Sequence, residues 1–438
     1  MEDFDLQPSP EIPHRPVKGR GAAGNVAHRF SSETRQAEDD GWEQEEPSLP
    51  QTRLLVDGAK SIISRNDSPD VGFDQSLNPY RGCEHGCIYC YARPTHAWLG
   101  LSPGLDFETQ IFHKPDAPRL LREELSHPNY VCSTIVLGTA TDAYQPFERK
   151  ERLTRALLEV MLETGHPVSV VTKSSLVVRD IDLWAELAGR NLAHIGISLT
   201  TLDGQLARQL EPRASAPRAR LDAMQKLSDA GIPVSVFVSP VIPGLNDHEI
   251  ENLLAAARSH GAESASYTLL RLPHEVAGLF REWLEWHAPE KAARIMSVLY
   301  DLRGGRANDT RFGSRMKGLG HFADLIRQRF ELACRRHGLS RELPALDTSR
   351  FRPPPAPADE RQLSLFCLFE LLVKPDDGFH FLKNPFAGRR HGNLRTLVGT
   401  SLLVQRIFEE QPLLLDQIEA LLDLLRIGRR RRQFLVGR

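Results

Sequence analysis

The sequence predicts an α/β fold, a partial (βα)6 barrel of the TIM type with a helical C-terminal extension. Three observations predict it. Six short apolar runs rich in β-branched residues read as strands: 73–78, 135–139, 168–172, 194–199, 234–239 and 266–270. Longer helical patterns lie between them, and strand–helix alternation implies a parallel sheet with right-handed crossovers. The stretch richest in reactive side chains follows the first strand, at the carboxyl end where such sheets place their sites. Six units suit a barrel left open along one side.

The helical patterns come next. Residues 149–164 carry Leu153, Leu157, Val160 and Met161 at helical spacing, and 181–190, 217–230 and 247–260 behave similarly. Gly165, Gly231 and Gly261 sit just past three of these segments, as helix-ending glycines do. A chain of 438 residues holds two or three domains or one large barrel with extensions, and 41% hydrophobic residues support a sizeable core. The formal net charge of −2 gives no global field that attracts nucleic acid, which leaves a local basic groove open. Six cysteines in so long a chain, three of them clustered, do not read as a disulfide framework and fit a reducing compartment. The acidic start lacks a signal-peptide n-region, and no apolar run reaches transmembrane length, so a soluble cytoplasmic protein is expected. Residues 1–51 read as a largely disordered leader, with a basic, glycine-rich patch at 15–24 and an acidic cluster at 38–46.

The loop after the first strand is Arg81-Gly82-Cys83-Glu84-His85-Gly86-Cys87-Ile88-Tyr89-Cys90-Tyr91. Its three cysteines have C-x3-C-x2-C spacing. Thiolates are soft ligands that suit iron–sulfur clusters, zinc or Cu(I). Four thiolates complete a 4Fe–4S cluster or a structural zinc site, so three leave one iron open to a small molecule. Gly82 and Gly86 let the backbone bend tightly. A zinc knuckle with His85 or His96 as fourth ligand remains an alternative, as do three unrelated cysteines.

The other strand ends are polar. Thr139, Thr141 and Asp142 follow the second strand, Lys173 the third, and Ser198 closes the fourth. Arg220 opens a helix after Glu211-Pro212-Arg213, and an apolar turn at 240–247 follows the fifth strand. Hydroxyls and a carboxylate there can bond an amino group or ribose, and Lys173 can meet a carboxylate.

The cysteine spacing, with an aromatic before the third cysteine, resembles the signature of the radical S-adenosylmethionine (radical SAM) superfamily. Residues 78–94, 138–148, 170–173, 196–200 and 211–220 are similar to its bacterial group related to spore photoproduct lyase, and the likeness runs from about 52 to 337. The resemblance implies a 4Fe–4S cluster on Cys83, Cys87 and Cys90, with AdoMet contacts from Tyr89, Thr141, Asp142, Lys173, Ser198 and Arg220. It further implies reductive cleavage of AdoMet, a reducing partner such as flavodoxin or ferredoxin, and a DNA substrate. The lyase keeps a hydrogen-donating cysteine at the end of its second strand, where this chain has Thr139-Ala140. Cys132, near the start of that strand, reads as a core residue. RNA or peptide modification is the second enzyme reading, and a non-catalytic zinc or clamp-binding adaptor is the reading of another class.

Residues 272–350 read as a helical layer over the open side of the barrel. Trp283 and Trp286 within it offer either base stacking or core packing. A loop bearing Arg303, Arg306, Arg311, Arg315 and Lys317 among glycines offers contacts to a nucleic-acid backbone. Residues 351–366 form a proline-rich, extended tether. It presents Gln362-Leu363-Ser364-Leu365-Phe366, which resembles the motif that docks bacterial repair proteins on the β sliding clamp. Residues 367–438 read as a helical tail of unassigned role.

Overall fold

The computed structural model describes residues 15–31, 50–342 and 345–354. All lie in the first of two compact units, 1–360, and the second unit is 361–438. The clamp-like motif Gln362–Phe366 and the tail from 367 lie outside the described residues.

The strands are β1 (Arg53–Val56), β2 (Ile63–Arg65), β3 (Gln75–Leu77), β4 (Tyr80–Arg81), β5 (Gln110–His113), β6 (Ile135–Leu137), β7 (Val168–Thr172), β8 (Ala193–Ser198), β9 (Val234–Val241) and β10 (Ser264–Leu269). The helices are α1 (Asp106–Thr109), α2 (Ala117–Leu125), α3 (Glu148–Glu151), α4 (Leu153–Thr164), α5 (Ile181–Gly189), α6 (Gly204–Leu210), α7 (Pro217–Asp229), α8 (Ile250–Ser259), α9 (Val276–His287), α10 (Pro289–Asp301) and α11 (Gly320–His337). The main sheet has the order β10-β9-β8-β7-β6-β3-β2. From β3 to β10 every pairing is parallel and follows chain order, while β2 adds antiparallel to β3. All six strands expected from the sequence are present. One row, Leu77, Leu137, Val170, Ile195 and Val234, is in register across five strands and fully buried. Helices cover the sheet, so its strands read as apolar runs rather than alternating ones. The helix expected over 149–164 is broken into α3 and α4 at Arg152, whose φ is 52°.

The hydrogen-bonded ladder leaves β10 and β2 as edges. The loop between α10 and α11 meets β10 and the connection between β2 and β3. Leu269 N–H donates to the Met316 carbonyl at 3.2 Å, and Arg303 donates to the Leu269 carbonyl at 2.9 Å. On the other side Arg315 pairs with Asp70 at 2.6 Å, and Gly313 N–H donates to Asp70 at 2.7 Å.

Two parts of the chain depart from expectation. A second sheet, β1-β5-β4, lies beside the cysteine loop. The basic, glycine-rich part of the leader is an ordered strap rather than a disordered segment. Arg20 donates to the Glu108 carbonyl at 3.0 Å and to Thr52 at 2.8 Å, and Arg29 pairs with Glu275 at 3.1 Å. Its glycines permit the approach: a Cβ on Gly21 would lie 1.8 Å from the Gly86 carbonyl oxygen.

α9 and α10 pack on the cysteine loop, with Phe280, Trp283, Leu284, Ile295 and Leu299 against Cys87, Ile88 and Tyr89. Trp283 is therefore core, its indole N–H donating to the Gln209 carbonyl at 3.1 Å, whereas Trp286 is exposed. α11 packs on α8 and β10, with Phe330 against Tyr267. Cys132 is half-buried just before β6, at the amino end of the strands and away from the cysteine loop.

At that amino end the Phe351 ring meets His166 edge-on, 5.2 Å between centroids, as residues 345–354 cross α4. The Pro167 carbonyl can only accept, so His166 Nδ1 carries a proton, while Nε2 lies 2.7 Å from the Tyr130 hydroxyl, which donates to Gln75. Burial lowers the His166 pKa to about 4 against the opposing pull of the Pro167 carbonyl. A histidine held neutral contributes its full stability above pH 6.5 and loses it as the pH falls toward 4. The stability gap between wild type and His166→Gln, read by urea denaturation, is expected to narrow by about 2–3 kcal/mol between pH 7 and 4.5. A gap independent of pH contradicts this.

Candidate functional site

The site starts where β3 runs out. The chain turns through β4 and enters residues 82–91 with Gly82 at φ 78° and Gly86 at φ 67°. A Cβ on Gly82 would meet the Phe107 carbonyl oxygen at 2.9 Å, and one on Gly86 would meet the Glu108 carboxylate at 2.7 Å. Successive turns follow, with Gly86 N–H to the Cys83 carbonyl, Cys90 N–H to the Cys87 carbonyl and Arg93 N–H to the Cys90 carbonyl. They leave Cys83 and Cys87 buried and Cys90 half-buried. All three are free thiols, close enough for each to act electrostatically on the others.

The loop is braced from behind. Arg93, fully buried, donates to the carbonyls of Cys87 (2.9 Å), Gly86 (3.1 Å), Pro103 and Gly104 (both 3.0 Å) and pairs with Glu108 at 2.5 Å. Glu108 in turn accepts the N–H groups of Gly21 and Ala22 at 3.0 and 2.9 Å. From the side, Ile88 N–H donates to the Leu210 carbonyl, and Arg213 N–H donates to that of His85.

Asp142, after β6, ties the loop to the sheet. Its carboxylate accepts from Thr172 Oγ1 (2.7 Å), Lys173 N–H (2.9 Å) and Tyr144 N–H (2.8 Å), and faces His85 Nδ1 at 3.3 Å. Burial alone would raise its pKa, but His85 and these donors hold it far below the usual carboxylate range. Thr141 donates to the Gly82 carbonyl at 2.6 Å. Asn78 holds Thr139 and Ala140.

A second buried node sits at the ends of β8 and α7. Glu211 accepts from Thr200 Oγ1 at 2.6 Å, from the Tyr89 hydroxyl and from Arg220. Arg220 also donates to the carbonyls of Ser215 (2.7 Å) and Ser198 (2.9 Å). Burial opposes the Glu211 charge, yet Arg220, Lys173 and the two hydroxyls bring its pKa down to about 2. Lys173 Nζ lies 5.9 Å from the Tyr89 ring centroid. Among the described residues it has no carboxylate within ion-pair distance, so its ammonium is available to an anionic ligand.

Tyr89 lies in the cysteine loop, Thr141 and Asp142 bond it or face it, Lys173 lies beside the Tyr89 ring, Arg220 reaches Tyr89 through Glu211, and Ser198 meets Arg220 through its carbonyl. Sequence reasoning passed over Arg93, Glu108 and Glu211. Glu211 stood in the segment that drew attention to Arg220, whereas Arg93 and Glu108 carry no local signal. The two candidate fourth ligands for zinc are each engaged through one ring nitrogen. His85 faces Asp142, and His96 holds the Gln110 carbonyl at 3.0 Å with its ring between Phe107 and Phe112. Among the described residues no three His, Cys, Asp or Glu side chains gather around a single-ion site.

The donor set fits an iron–sulfur cluster: three soft ligands on one tight loop, with a cation and polar strand ends beside them. Burial pushes the Cys83 and Cys87 thiols up, helped by the charges of Asp142 and Glu211, so their ionisation calls for a cation between them.

The radical SAM superfamily model matches residues 77–257. An uncharacterized protein of Mycobacterium bovis is 37% identical over 228 residues, 52% of this chain and 67% of that protein. A radical SAM Nα-GlyT isomerase of Pseudomonas phage M6 is 27% identical over 192 residues, 42% of this chain and 37% of that protein. A solved structure of spore photoproduct lyase complexed with dinucleoside spore photoproduct covers 66% of this chain and 81% of that one, at TM-score 0.47 and 16% identity. The chain belongs to the radical SAM superfamily, whose enzymes use a 4Fe–4S cluster and AdoMet. No helix among the described residues is long and apolar enough to cross a membrane.

Removing Glu108 leaves Arg93 charged and buried without a counterion. Glu108→Ala is expected to destabilise the chain by about 3–5 kcal/mol in urea denaturation, and a loss below about 1 kcal/mol contradicts the bracing role.

Proposed function

We propose that this chain is a radical SAM enzyme that acts on DNA, in repair or modification, from a partial (βα)6 barrel. The carrying observation is the gathering of three free thiols, Lys173 and the Glu211–Arg220 pair at the carboxyl ends of consecutive parallel strands. In this reading Cys83, Cys87 and Cys90 hold the cluster and leave one iron for AdoMet. When bound, and given one electron by the external reducing partner, the cluster and AdoMet would supply reductive cleavage to a 5′-deoxyadenosyl radical able to take hydrogen from the substrate.

The chain's own residues do the positioning. Lys173 presents its ammonium to the AdoMet carboxylate. Arg220 reaches the site mainly through Glu211, which fixes the Tyr89 hydroxyl and with it the ring beside Cys90. Asp142 keeps Lys173, the β7 end and the His85 side of the loop in one frame, while Thr141 holds the loop at Gly82. α9 and α10 exclude water from the Cys87 side. The DNA reading is supported by the resemblance of the strand-end segments and by the basic loop beside β10. An external reducing partner is part of it.

Anaerobic purification tests the core of this reading. The wild type is expected to carry about four irons per chain and to release 5′-deoxyadenosine on reduction. Cys83→Ala, Cys87→Ala and Cys90→Ala are each expected to lose both, and unchanged iron and release in any of them overturns the assignment. With DNA deuterated at candidate positions, label is expected to pass into 5′-deoxyadenosine; its persistent absence removes DNA as the substrate. The sliding clamp is proposed as a partner through Gln362, Leu363, Leu365 and Phe366. Leu365→Ala with Phe366→Ala is expected to abolish clamp pull-down, and retained binding by the double variant ends that proposal.

A further inference from the structure

Between β10 and the β2–β3 connection, the chain concentrates positive charge. Residues 303–317 carry five arginine or lysine side chains against one carboxylate, Asp309. Asp309 is committed to Arg311 at 3.0 Å and to Ser314 at 2.6 Å, and Asp70 to Arg315 at 2.6 Å. Two guanidiniums beside these pairs, Arg303 and Arg271, are held in other ways. Arg303 is 1% exposed and spends its terminal nitrogens on the carbonyls of Leu269, Leu270, Ser314 and Arg315, while its Nε is buried without a partner. Arg271, just past β10, is half-buried with its guanidinium 5.1 Å from the Tyr91 ring centroid. Among the described residues neither has a carboxylate within ion-pair distance.

These guanidiniums act on one another. Burial and the charge of Arg271 lower the Arg303 pKa to about 10 against the pull of Asp309, and burial with Arg315 nearby lowers that of Arg271 against Tyr91 and Asp70. An arginine cannot relieve such repulsion by giving up its proton at neutral pH. A cluster of desolvated like charges is costly unless an anion completes it. The cluster is also placed for use. Tyr91 directly follows Cys90; its ring carries Arg271 on one side of the mouth, and its hydroxyl donates to the Thr139 carbonyl past β6 on the other. Tyr91 and Phe312, which lies under Arg315 at 4.6 Å, are both exposed, so aromatic faces alternate with the cations.

We infer that Arg271, with Arg315 beside it and Arg303 fixing the loop behind them, forms a phosphodiester-binding seam at the mouth of the sheet. The seam holds the backbone of a DNA strand so that a nucleoside beside the bound phosphate reaches Tyr91 and the cysteine loop. The inference rests on the DNA reading above and specifies how the strand is held.

The test is fluorescence anisotropy with the full chain, matched for iron content, and a labelled single-stranded DNA 12-mer over a salt series. Wild-type affinity is expected to fall with salt. Arg271→Gln is expected to bind about tenfold more weakly and to lower the log–log salt slope by about one, and Arg315→Gln to do the same. Arg271→Lys keeps the charge and is expected to keep the slope, which separates loss of charge from loss of fold. A 12-mer of the same sequence with uncharged methylphosphonate links is expected to bind wild type and Arg271→Gln alike. The seam is overturned if the glutamine variants match wild type in affinity and slope, or if wild type binds the methylphosphonate strand as tightly as the phosphodiester. AdoMet cleavage by the same wild-type preparation separates the two readings. Cleavage without arginine-dependent strand binding removes the seam alone. Arginine-dependent binding without cleavage supports the seam and removes the enzyme reading.

Discussion

The geometry of the site depends on what happens behind the cysteine loop rather than in front of it. A tight loop that turns three thiols one way must turn carbonyls the other, and buried carbonyls need donors. Arg93 supplies them. One planar guanidinium serves four carbonyls, two of them inside the loop, and discharges its own desolvation cost on Glu108. Glu108 then fastens the N-terminal strap through Gly21 and Ala22. The loop shape is thus fixed by a buried ion pair whose members lie fifteen residues apart in the chain.

From that frame the strand ends divide into two kinds. Asp142, Glu211 and Arg220 are buried and already committed to protein partners, and both carboxylates stay ionised because the partners outweigh burial. Such groups set distances and orientations. Lys173 differs: its backbone is held by Asp142, while its ammonium keeps no carboxylate partner among the described residues. Fixed backbone with an uncommitted charged tip suits a side chain that waits for a ligand carboxylate. Tyr89 belongs to the first kind, since its hydroxyl is held by Glu211 and Thr200 and only its ring face lies toward Lys173.

Much of this was legible in the sequence, and the reason is local. The six parallel strands announce themselves because burial on both faces makes each a short β-branched run, and the cysteine spacing sits at the end of the first. The helix at 149–164 was visible by period but not its break, because nothing in the pattern marks Arg152 for a left-handed φ. The strap and the β1-β5-β4 sheet were missed for one physical reason: strands of two to four residues, with partners tens of residues away, have no period of their own. Residues 15–31 read as a leader by composition, yet their glycines are there for close approach to the Gly86 carbonyl. Arg93 and Glu108 look like ordinary charged residues until the fold brings them together. Trp283 shows the converse, an aromatic with a nucleic-acid reading that the fold spends on its core.

The central claim is that three thiols hold a cluster with one iron left for AdoMet. Electron–nuclear double resonance reaches it most directly, on the anaerobically reduced full chain with AdoMet carrying 15N in its amino group and 17O in its carboxylate. The account predicts hyperfine coupling of both labels to the cluster spin, showing that the amino acid end of AdoMet completes the iron's shell. A reduced cluster signal that AdoMet leaves unchanged, with no coupling to either label, would contradict it.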